Sequence, residues 1–169
     1  TFSLEQGKKV CLQGRNGSGK TSLLRLIYGE KMEYSGVFRI ASGVKISYVS
    51  QDTSGLYGNL QEYLEEQGAD ITKCLSILRN LGFERSQFEI PTEQYSMGQK
   101  KKVLIAKSLS QQAHLYLWDE PLNYIDIFSR IQIEQLLKQS QAAMLFVEHD
   151  RRFCDNVADS VIWVEPKQR

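Results

Sequence analysis

The sequence predicts an α/β protein built on a mainly parallel sheet, and three observations lead to that prediction. Short apolar runs typical of buried strands alternate with longer runs that repeat apolar residues at helical spacing. A glycine-rich turn stands between the first apolar run, 10–12, and the first helical run, 22–27. With 169 residues, of which 41% are hydrophobic and 24% charged, the chain has the size and composition of one globular domain.

The first third of the chain predicts a strand, a helix and a hairpin. The run 10–12 is an apolar strand, and the helix over 22–27 ends at Gly29, because glycine readily adopts the left-handed conformation that closes a helix. The runs 37–40 and 45–49 alternate apolar and polar residues around a short Ala-Ser-Gly turn. This pattern predicts a small antiparallel part of the fold.

The rest of the chain predicts helices alternating with buried strands. Helical spacing over 59–80 predicts a helical insert, and a further helix begins at Ser96, a good N-cap residue. The later elements are a strand over 115–118, a helix capped by Asp126, a strand over 143–147, a short helix near Phe153 and a last strand over 161–164. We expect one domain, 1–169, with a core of 1–51 and 110–169 and a helical subdomain at about 55–109.

Charge, cysteine content and hydropathy exclude several classes of protein. The net charge of +1 is too small to select a nucleic acid or a membrane by overall field alone. Cys11, Cys74 and Cys154 lie far apart and form no CxxC pair, which is typical of reduced thiols in the cytoplasm and not of a zinc site. No run approaches the roughly 18 apolar residues of a membrane helix. The sequence therefore predicts a cytoplasmic protein without a membrane span.

The glycine-rich turn fits the pattern GxxxxGK[ST] without a mismatch and predicts a phosphate-binding P-loop. Glycines let successive N–H groups point at phosphate oxygens, and the N-terminus of the following helix adds a favourable field. Lys20 would reach the β- and γ-phosphates of ATP, and the hydroxyl of Thr21 would bind Mg²⁺. The predicted nucleotide-binding residues are Gly14, Arg15, Asn16, Gly17, Ser18, Gly19, Lys20, Thr21 and Ser22.

Two acids end the apolar strand 115–118 and supply a second motif. Asp119 is the expected partner of Mg²⁺ once a phosphate loop is in place. Glu120 could orient and deprotonate a water for in-line attack on the γ-phosphate. Taken alone, acids at a strand end are often only solvated loop residues, so this motif depends on the first.

The order of these and later motifs resembles the ATP-binding-cassette (ABC) ATPase family over nearly the whole chain. Gln51 stands where the family has its Q-loop glutamine, and His149, between Glu148 and Asp150, resembles the switch histidine. A short segment after the helical insert resembles the family's signature, and it comprises Ser96, Met97, Gly98 and Gln99. Asn123 and Asp126 occupy the D-loop.

The resemblance implies roles for these residues. Glu120, His149 and Gln51 would be catalytic, and Thr21, Gln51 and Asp119 would bind the metal. The signature would contact the γ-phosphate of ATP held by a second ABC domain, and Asp126 would face that domain. Met97 departs from the glycine usual in the family, and a side chain there is expected to crowd the backbone.

The segment 119–126, DEPLNYID, resembles the ABC-F branch of the family, whose equivalent is commonly DEPTNHLD. Together with 95–102 it resembles the second ABC domain of ribosome-protecting antibiotic-resistance proteins of the Lsa and Vga type. The resemblance implies a tandem partner domain, binding to the ribosome, and a chain truncated at its N-terminus ahead of residue 1, without the adenine-stacking aromatic residue. The ATPase subunit of a membrane transporter and a nucleotide-binding module with little hydrolysis remain as alternatives.

The basic residues 100–102, 107 and 151–152 allow two interpretations. They could contact ribosomal RNA phosphates. They are more typical of a solvated helix face, which is the usual role of surface lysines and the favoured interpretation.

Overall fold

The computed structural model describes residues 1–166, and the last three residues of the predicted domain 1–169 lie outside that range. The strands are β1 (Lys9–Gln13), β2 (Ile46–Val49), β3 (Leu115–Asp119), β4 (Ala143–Val147) and β5 (Ser160–Trp163). The helices are α1 (Lys20–Tyr28), α2 (Leu60–Glu66), α3 (Ile71–Asn80), α4 (Met97–Ser110), α5 (Ile127–Gln139) and α6 (Arg151–Val157). Two 3₁₀ turns, Arg85–Glu89 and Thr92–Gln94, precede α4.

The strands form one sheet in the order β2-β3-β4-β1-β5. The pairs β1–β4, β1–β5 and β3–β4 are all parallel. Strands β3 and β4 are buried along their whole length, which explains their continuous apolar sequences, since a strand covered on both faces has no solvent side to alternate with. The predicted α/β class with a mainly parallel sheet is confirmed.

The chain divides into two compact units. The first unit comprises 1–48, 113–120 and the chain from 141 onward, and the second comprises 49–112 and 121–140. In the first unit α1 packs on β3 and β4. Its core consists of Val10, Leu12, Leu24, Leu115, Leu117, Ala143, Leu145 and Val147. In the second unit α3 packs against α2 and α4.

Helix α5 belongs to the second unit, whereas the sequence prediction placed 121–140 with the core. Its buried residues include Ile133 and Leu137, and Oγ of Ser129 lies 3.3 Å from the carbonyl oxygen of Leu81. This contact joins residues 48 positions apart. The order of elements along the chain could not reveal such a pairing, and the prediction of a single domain stays a prediction.

The predicted hairpin is wrong. Residues 37–40 form no strand, and only the second half of the predicted hairpin, β2, is extended and paired. The side chain of Val37 is 85% exposed and Ile40 is also exposed. Alternation of apolar and polar residues predicts a strand only where a neighbouring strand and a buried face exist, and 37–40 has neither among the described residues.

Candidate nucleotide-binding site

The predicted phosphate loop connects β1 to α1 and curls around the ammonium group of Lys20. Lys20 donates through Nζ to the carbonyl oxygens of Gly14 and Arg15, at 2.8 and 2.9 Å. The backbone N–H of Ser18 donates to the same carbonyl of Arg15 at 3.0 Å. Lys20 is buried, so these carbonyls hold a desolvated cation at the centre of the loop.

Gly14 is required by close packing. A Cβ on this residue would lie 2.4 Å from the carbonyl oxygen of Val164 and 2.8 Å from Oγ of Ser18, and φ is +151°. The N–H of Val164 in turn donates to the carbonyl of Gln13 at 2.7 Å. The chain after β5 therefore runs directly against the start of the loop and excludes a side chain there.

The start of α1 follows the phosphate loop directly. Gly19 is the N-cap residue and, having no side chain, makes no side-chain cap hydrogen bond. Thr21 and Ser22 follow in the first turn, Thr21 half-buried and Ser22 exposed, while Arg15, Asn16 and Gly17 form the exposed rim of the loop. Uncapped N–H groups at a helix N-terminus favour an anion. The structure thus brings the predicted nucleotide-binding residues together in one loop and one helix turn.

The ends of β3 and β4 bring Glu120 and His149 into contact. Oε1 of Glu120 lies 3.0 Å from Nε2 of His149, within hydrogen-bond distance. Glu120 has φ +48°, an uncommon conformation for a residue with a side chain, and its N–H donates to the carbonyl of Val147 at 2.9 Å. Strained backbone of this kind persists where the surrounding structure fixes it, and it clusters at functional sites.

Glu148 forms a hydrogen bond with His149. The sequence pattern identifies Glu148 only as the residue that precedes the predicted switch histidine. The Glu148 carboxylate accepts a hydrogen bond from the N–H of His149 at 2.9 Å, and Glu148 is buried. The burial of this acid beside the predicted switch histidine is the signal for its contact with His149. Burial of a single charged residue at a strand end cannot be predicted from the sequence.

Asp119 is fully buried at the end of β3. Burial raises the pKa of Tyr48 to about 12, and the negative charge of Asp119 adds to that increase. The Tyr48 ring also packs against Tyr28, with 4.9 Å between centroids. A negative charge that is buried away from water is stabilised by a nearby cation, so the end of β3 favours a metal ion. The donor set predicted for the metal from this unit, one carboxylate and one hydroxyl, consists of the oxygen ligands that Mg²⁺ prefers.

The signature segment lies in the second unit and is fixed by a capping box at the start of α4. Ser96 accepts through Oγ from the N–H of Gln99 at 3.2 Å, and Gln99 accepts through Oε1 from the N–H of Ser96 at 2.8 Å. A Cβ on Gly98 would lie 2.6 Å from the carbonyl oxygen of Tyr124. Glycine is therefore needed where the signature meets the D-loop.

Met97 does not crowd the backbone, so that expectation is wrong. It is the first residue of α4 and has no positive φ. Its side chain is partly exposed, and its sulfur accepts a hydrogen bond from Oγ1 of the buried Thr53 at 3.7 Å. Met97 thus occupies an ordinary helical position with its side chain directed along the surface of the second unit.

The D-loop is held by Asp126. This carboxylate accepts from the N–H and from Oγ of Ser129, both at 2.8 Å, and Nζ of Lys102 lies 2.9 Å away. Burial alone would raise the pKa of Asp126, but the hydrogen bonds from Ser129 and the Lys102 ammonium together lower it to about 2. Tyr124 has φ +67°, and Asn123 is exposed beside it.

Gln51 is an exposed residue of the second unit. Its carbonyl oxygen accepts a hydrogen bond from Nζ of Lys101 at 3.1 Å, and Lys101 is buried. The predicted role of the Gln51 side chain toward metal and water stays a prediction.

Among residues 1–166, no helix has both the length and the apolar character needed to cross a membrane. The same residues contain no cluster of three or more His, Cys, Asp or Glu able to hold a metal ion by themselves.

Comparison with known proteins identifies relatives of this chain. The family model described as "ABC transporter" matches residues 1–123. The ATP-binding protein Uup of Caulobacter vibrioides is 32% identical over 168 residues, which cover 99% of this chain and 27% of that protein. The ribosome protection protein VmlR of Bacillus subtilis is 32% identical over 164 residues, which cover 94% of this chain and 29% of that protein.

Solved structures agree with this comparison. The structure described as RNase-L Inhibitor superimposes with a TM-score of 0.81 at 25% identity and covers 95% of this chain and 32% of its own. The chain thus spans less than a third of each of these three relatives. The matched family model, with relatives that are 32% identical over nearly the whole chain, shows that this chain belongs to the ABC transporter family and is an ABC ATPase domain.

Proposed function

We propose that this chain binds ATP with Mg²⁺ and hydrolyses it as one of two ABC domains in a cytoplasmic ABC-F protein that acts on the ribosome. The single observation that supports hydrolysis best is the 3.0 Å contact between Glu120 and His149 at adjacent strand ends. Glu120 would accept the proton of the attacking water, and His149 would orient the Glu120 carboxylate and contact the γ-phosphate.

The phosphate loop would bind and orient the nucleotide. Lys20 would exchange its two loop carbonyl partners for phosphate oxygens, which are stronger hydrogen-bond acceptors because they carry charge. The N–H groups at the start of α1 would stabilise the same phosphates. Phosphoryl transfer depends mostly on such positioning and charge stabilisation.

Thr21 and Asp119 fit Mg²⁺ by their oxygen ligands and by the burial of Asp119. Bound there, the ion would neutralise charge that develops on the phosphates. Because Asp119 lies at the end of the buried strand β3, its carboxylate would be fixed in position to bind the ion. Gln51 is proposed as a further ligand on the strength of the family resemblance.

The signature would complete the nucleotide site of a second ABC domain, in the parent chain or in another copy. Ser96 to Gln99 form a capped helix start that is exposed at Ser96 and Met97. A helix N-terminus at that place would direct N–H groups at the phosphates of the partner's nucleotide. Asn123 and Asp126 lie on the loop next to it, consistent with contact to the same partner domain.

The ribosomal role rests on relatives. VmlR is named as a ribosome protection protein, and its similarity covers nearly all of this chain. The segment DEPLNYID resembles the ABC-F branch and supports the same assignment. Resistance to an antibiotic that binds the ribosome would follow from such an activity. Lysines 100–102 and Lys107 would be available to contact ribosomal RNA only where they are exposed, and Lys101 is excluded because it is buried.

The decisive experiment is co-sedimentation of the full-length Glu120→Gln protein with intact ribosomes, with and without ATP. This variant should bind ATP, stay closed and pellet with ribosomes only when ATP is present. The Lys20→Ala form of the same protein is the control, because it should not respond to ATP. Absence of pelleting by a folded, ATP-loaded protein would contradict the ribosomal role and favour the ATPase subunit of a membrane transporter.

A further inference from the structure

Two cysteines of the first unit face each other beneath the nucleotide-binding loop. Cys11 lies on β1, three residues before Gly14, and Cys154 lies on α6, five residues after His149. Their Sγ atoms are 3.1 Å apart, and the two residues are 0% and 2% exposed. Both are free thiols. A contact so close across 143 residues is set by the fold and not by local sequence.

The elements that carry the two thiols are held together by packing around them. Cys11 stands opposite Phe146 in the parallel β1–β4 register. Phe146 meets Phe153 of α6 edge to face, with 5.6 Å between ring centroids. The ring pair therefore fixes α6 over the sheet at the position of the thiols. A covalent bond would require the Sγ–Sγ distance to shorten from 3.1 Å to about 2.05 Å.

We propose that Cys11 and Cys154 form a reversible disulfide when the protein meets hydrogen peroxide, and that this bond slows the ATPase cycle. The thiolate of Cys154 attacks the O–O bond of peroxide, which yields a sulfenic acid at Cys154 and one water. The sulfur of Cys11 then attacks the Cys154 sulfur, loses its proton, and displaces the hydroxyl as a second water. Two thiols are oxidised, one peroxide is reduced, and the products are one disulfide and two waters.

The environment supports this order of attack. The hydrogen bond with Cys154, followed by burial, raises the pKa of the Cys11 thiol, whereas the hydrogen bond from Cys11 lowers the pKa of Cys154. Of the two thiols, Cys154 is therefore the more easily ionised, which assigns the attack on peroxide to Cys154 and the resolution of its sulfenic acid to Cys11. Local opening of the short helix α6, which has seven residues, is required to admit hydrogen peroxide to the buried pair.

A disulfide at this place would act on the candidate catalytic pair. Cys154 Sγ lies 3.7 Å from the carbonyl oxygen of Glu148, whose carboxylate accepts from the N–H of His149. Movement of Cys154 toward β1 would be passed to His149 and to its 3.0 Å contact with Glu120. This second part of the proposal rests on the proposed ATPase function, whereas formation of the disulfide does not.

Peptide mapping of the full-length protein tests the disulfide. The folded protein is treated with a graded series of hydrogen peroxide concentrations, quenched with catalase, denatured, alkylated and digested without reduction. We expect a linked peptide pair containing Cys11 and Cys154, lighter by two hydrogens, and its loss on treatment with dithiothreitol. Cys74, buried in the second unit, should remain alkylated and serves as the internal control.

Two controls test whether formation of the disulfide depends on the folded structure. Protein unfolded in urea should give much less of the linked peptide at the same peroxide dose, and Cys74→Ser should behave as the wild type. Full alkylation of Cys11 and Cys154 across the series, or a sulfinic acid at Cys154 without a linked peptide, would overturn the proposal. Equal linkage in urea would also overturn it, because the pairing would then not come from the structure.

The effect on turnover is measured separately. Peroxide should lower the ATPase rate of the wild type, dithiothreitol should restore it, and Cys154→Ala should keep its rate under the same treatment. A mapped disulfide with an unchanged rate would overturn the regulatory part alone. A protein without ATPase activity would contradict the proposed function while the peptide map still decides whether the disulfide forms.

Discussion

The two units of this chain position their candidate functional residues in different ways. In the first unit, Glu120 adopts φ +48° at the end of a buried strand, and its side chain contacts His149 from the neighbouring strand. In the second unit, the signature begins a regular helix whose first turn is closed by a capping box. The first arrangement places Glu120 and His149 at the ends of two central strands, with Glu120 in an uncommon backbone conformation, and the second presents an ordered helix start. The difference fits the proposed roles, which are hydrolysis for the first unit and contact with a partner domain for the second.

The largest expected effect comes from removing Glu120, the proposed base of the first unit. Glu120→Gln keeps the size and a hydrogen-bond partner for His149 but cannot accept a proton. We expect the turnover rate of the full-length protein to fall by about 10²–10⁴-fold with ATP affinity retained. Phosphate release and nucleotide binding measure the two quantities, and Glu5→Gln on the exposed surface of the same unit is the matched control. A variant that turned over at the wild-type rate would remove Glu120 from the mechanism.

The next effect tests the phosphate loop. Lys20→Ala removes the buried cation and leaves the carbonyls of Gly14 and Arg15 without that donor. We expect ATP affinity to fall by at least about 10-fold, since a charge-assisted hydrogen bond contributes about 1.5–3 kcal/mol. Calorimetric titration with ATP measures the loss, and the exposed Lys8→Ala controls for the change of net charge. Equal affinity of Lys20→Ala and wild type would show that this loop does not bind the phosphates.

The second unit is tested by filling the space at Gly98. Gly98→Ala would set a Cβ 2.6 Å from the carbonyl oxygen of Tyr124, so the D-loop or the start of α4 must shift. Overpacking of this kind costs about 1–3 kcal/mol of unfolding free energy. Urea denaturation measures the cost. Gly55→Ala in the same unit, where a Cβ meets nothing within 4 Å and φ is not positive, should be close to neutral. Equal stability of the two variants would contradict the close packing.

The smallest effect concerns the charge of Asp126. Its pKa of about 2 lies below the ordinary value of 3.8, so the ionised carboxylate stabilises the folded state. This contribution is complete above the ordinary value and is lost as pH falls toward 2. Because the Asp126 side chain is 53% exposed, solvent screening limits the contribution to about 1 kcal/mol or less.

Asp126→Asn isolates this charge, because asparagine caps a helix about as well as aspartate. Unfolding free energies of the variant and the wild type should differ most near neutral pH and converge near pH 2. Lys102→Met should reproduce part of the loss at neutral pH, and adding it to Asp126→Asn should cost little more. A constant difference at every pH would mean that the ion pair contributes nothing.

Much of this structure follows from local sequence signals. Asp126 caps α5, Gly29 ends α1 and Ser96 begins α4, as predicted, because caps and breakers act within a few residues. The phosphate loop is also encoded within a short segment. Its sequence motif, the strand before it and the helix after it could therefore be recognised together. The predicted site residues in this loop are brought together for the same reason.

The unpredicted features depend on contacts between distant residues. The segment 37–40 pairs with no strand within residues 1–166, and the placement of α5 with the second unit involves contacts such as that of Ser129 with Leu81. The burial of Glu148 and the contact of Cys11 with Cys154 arise from strands and a helix that meet only in the fold. The spacing of motifs along the sequence does not predict such contacts between distant residues.

The contact between Gly98 and Tyr124 has a consequence for how the protein can change over time. Since the backbone carbonyl of Tyr124 fills the space that a side chain at 98 would need, a larger residue at 98 requires the loop backbone at 124 to move. The side chain at 124 takes no part in this contact, so other residues could replace Tyr124 without relieving it. Position 98 therefore stays glycine for as long as the loop keeps its path, although 25 residues separate the two positions along the chain.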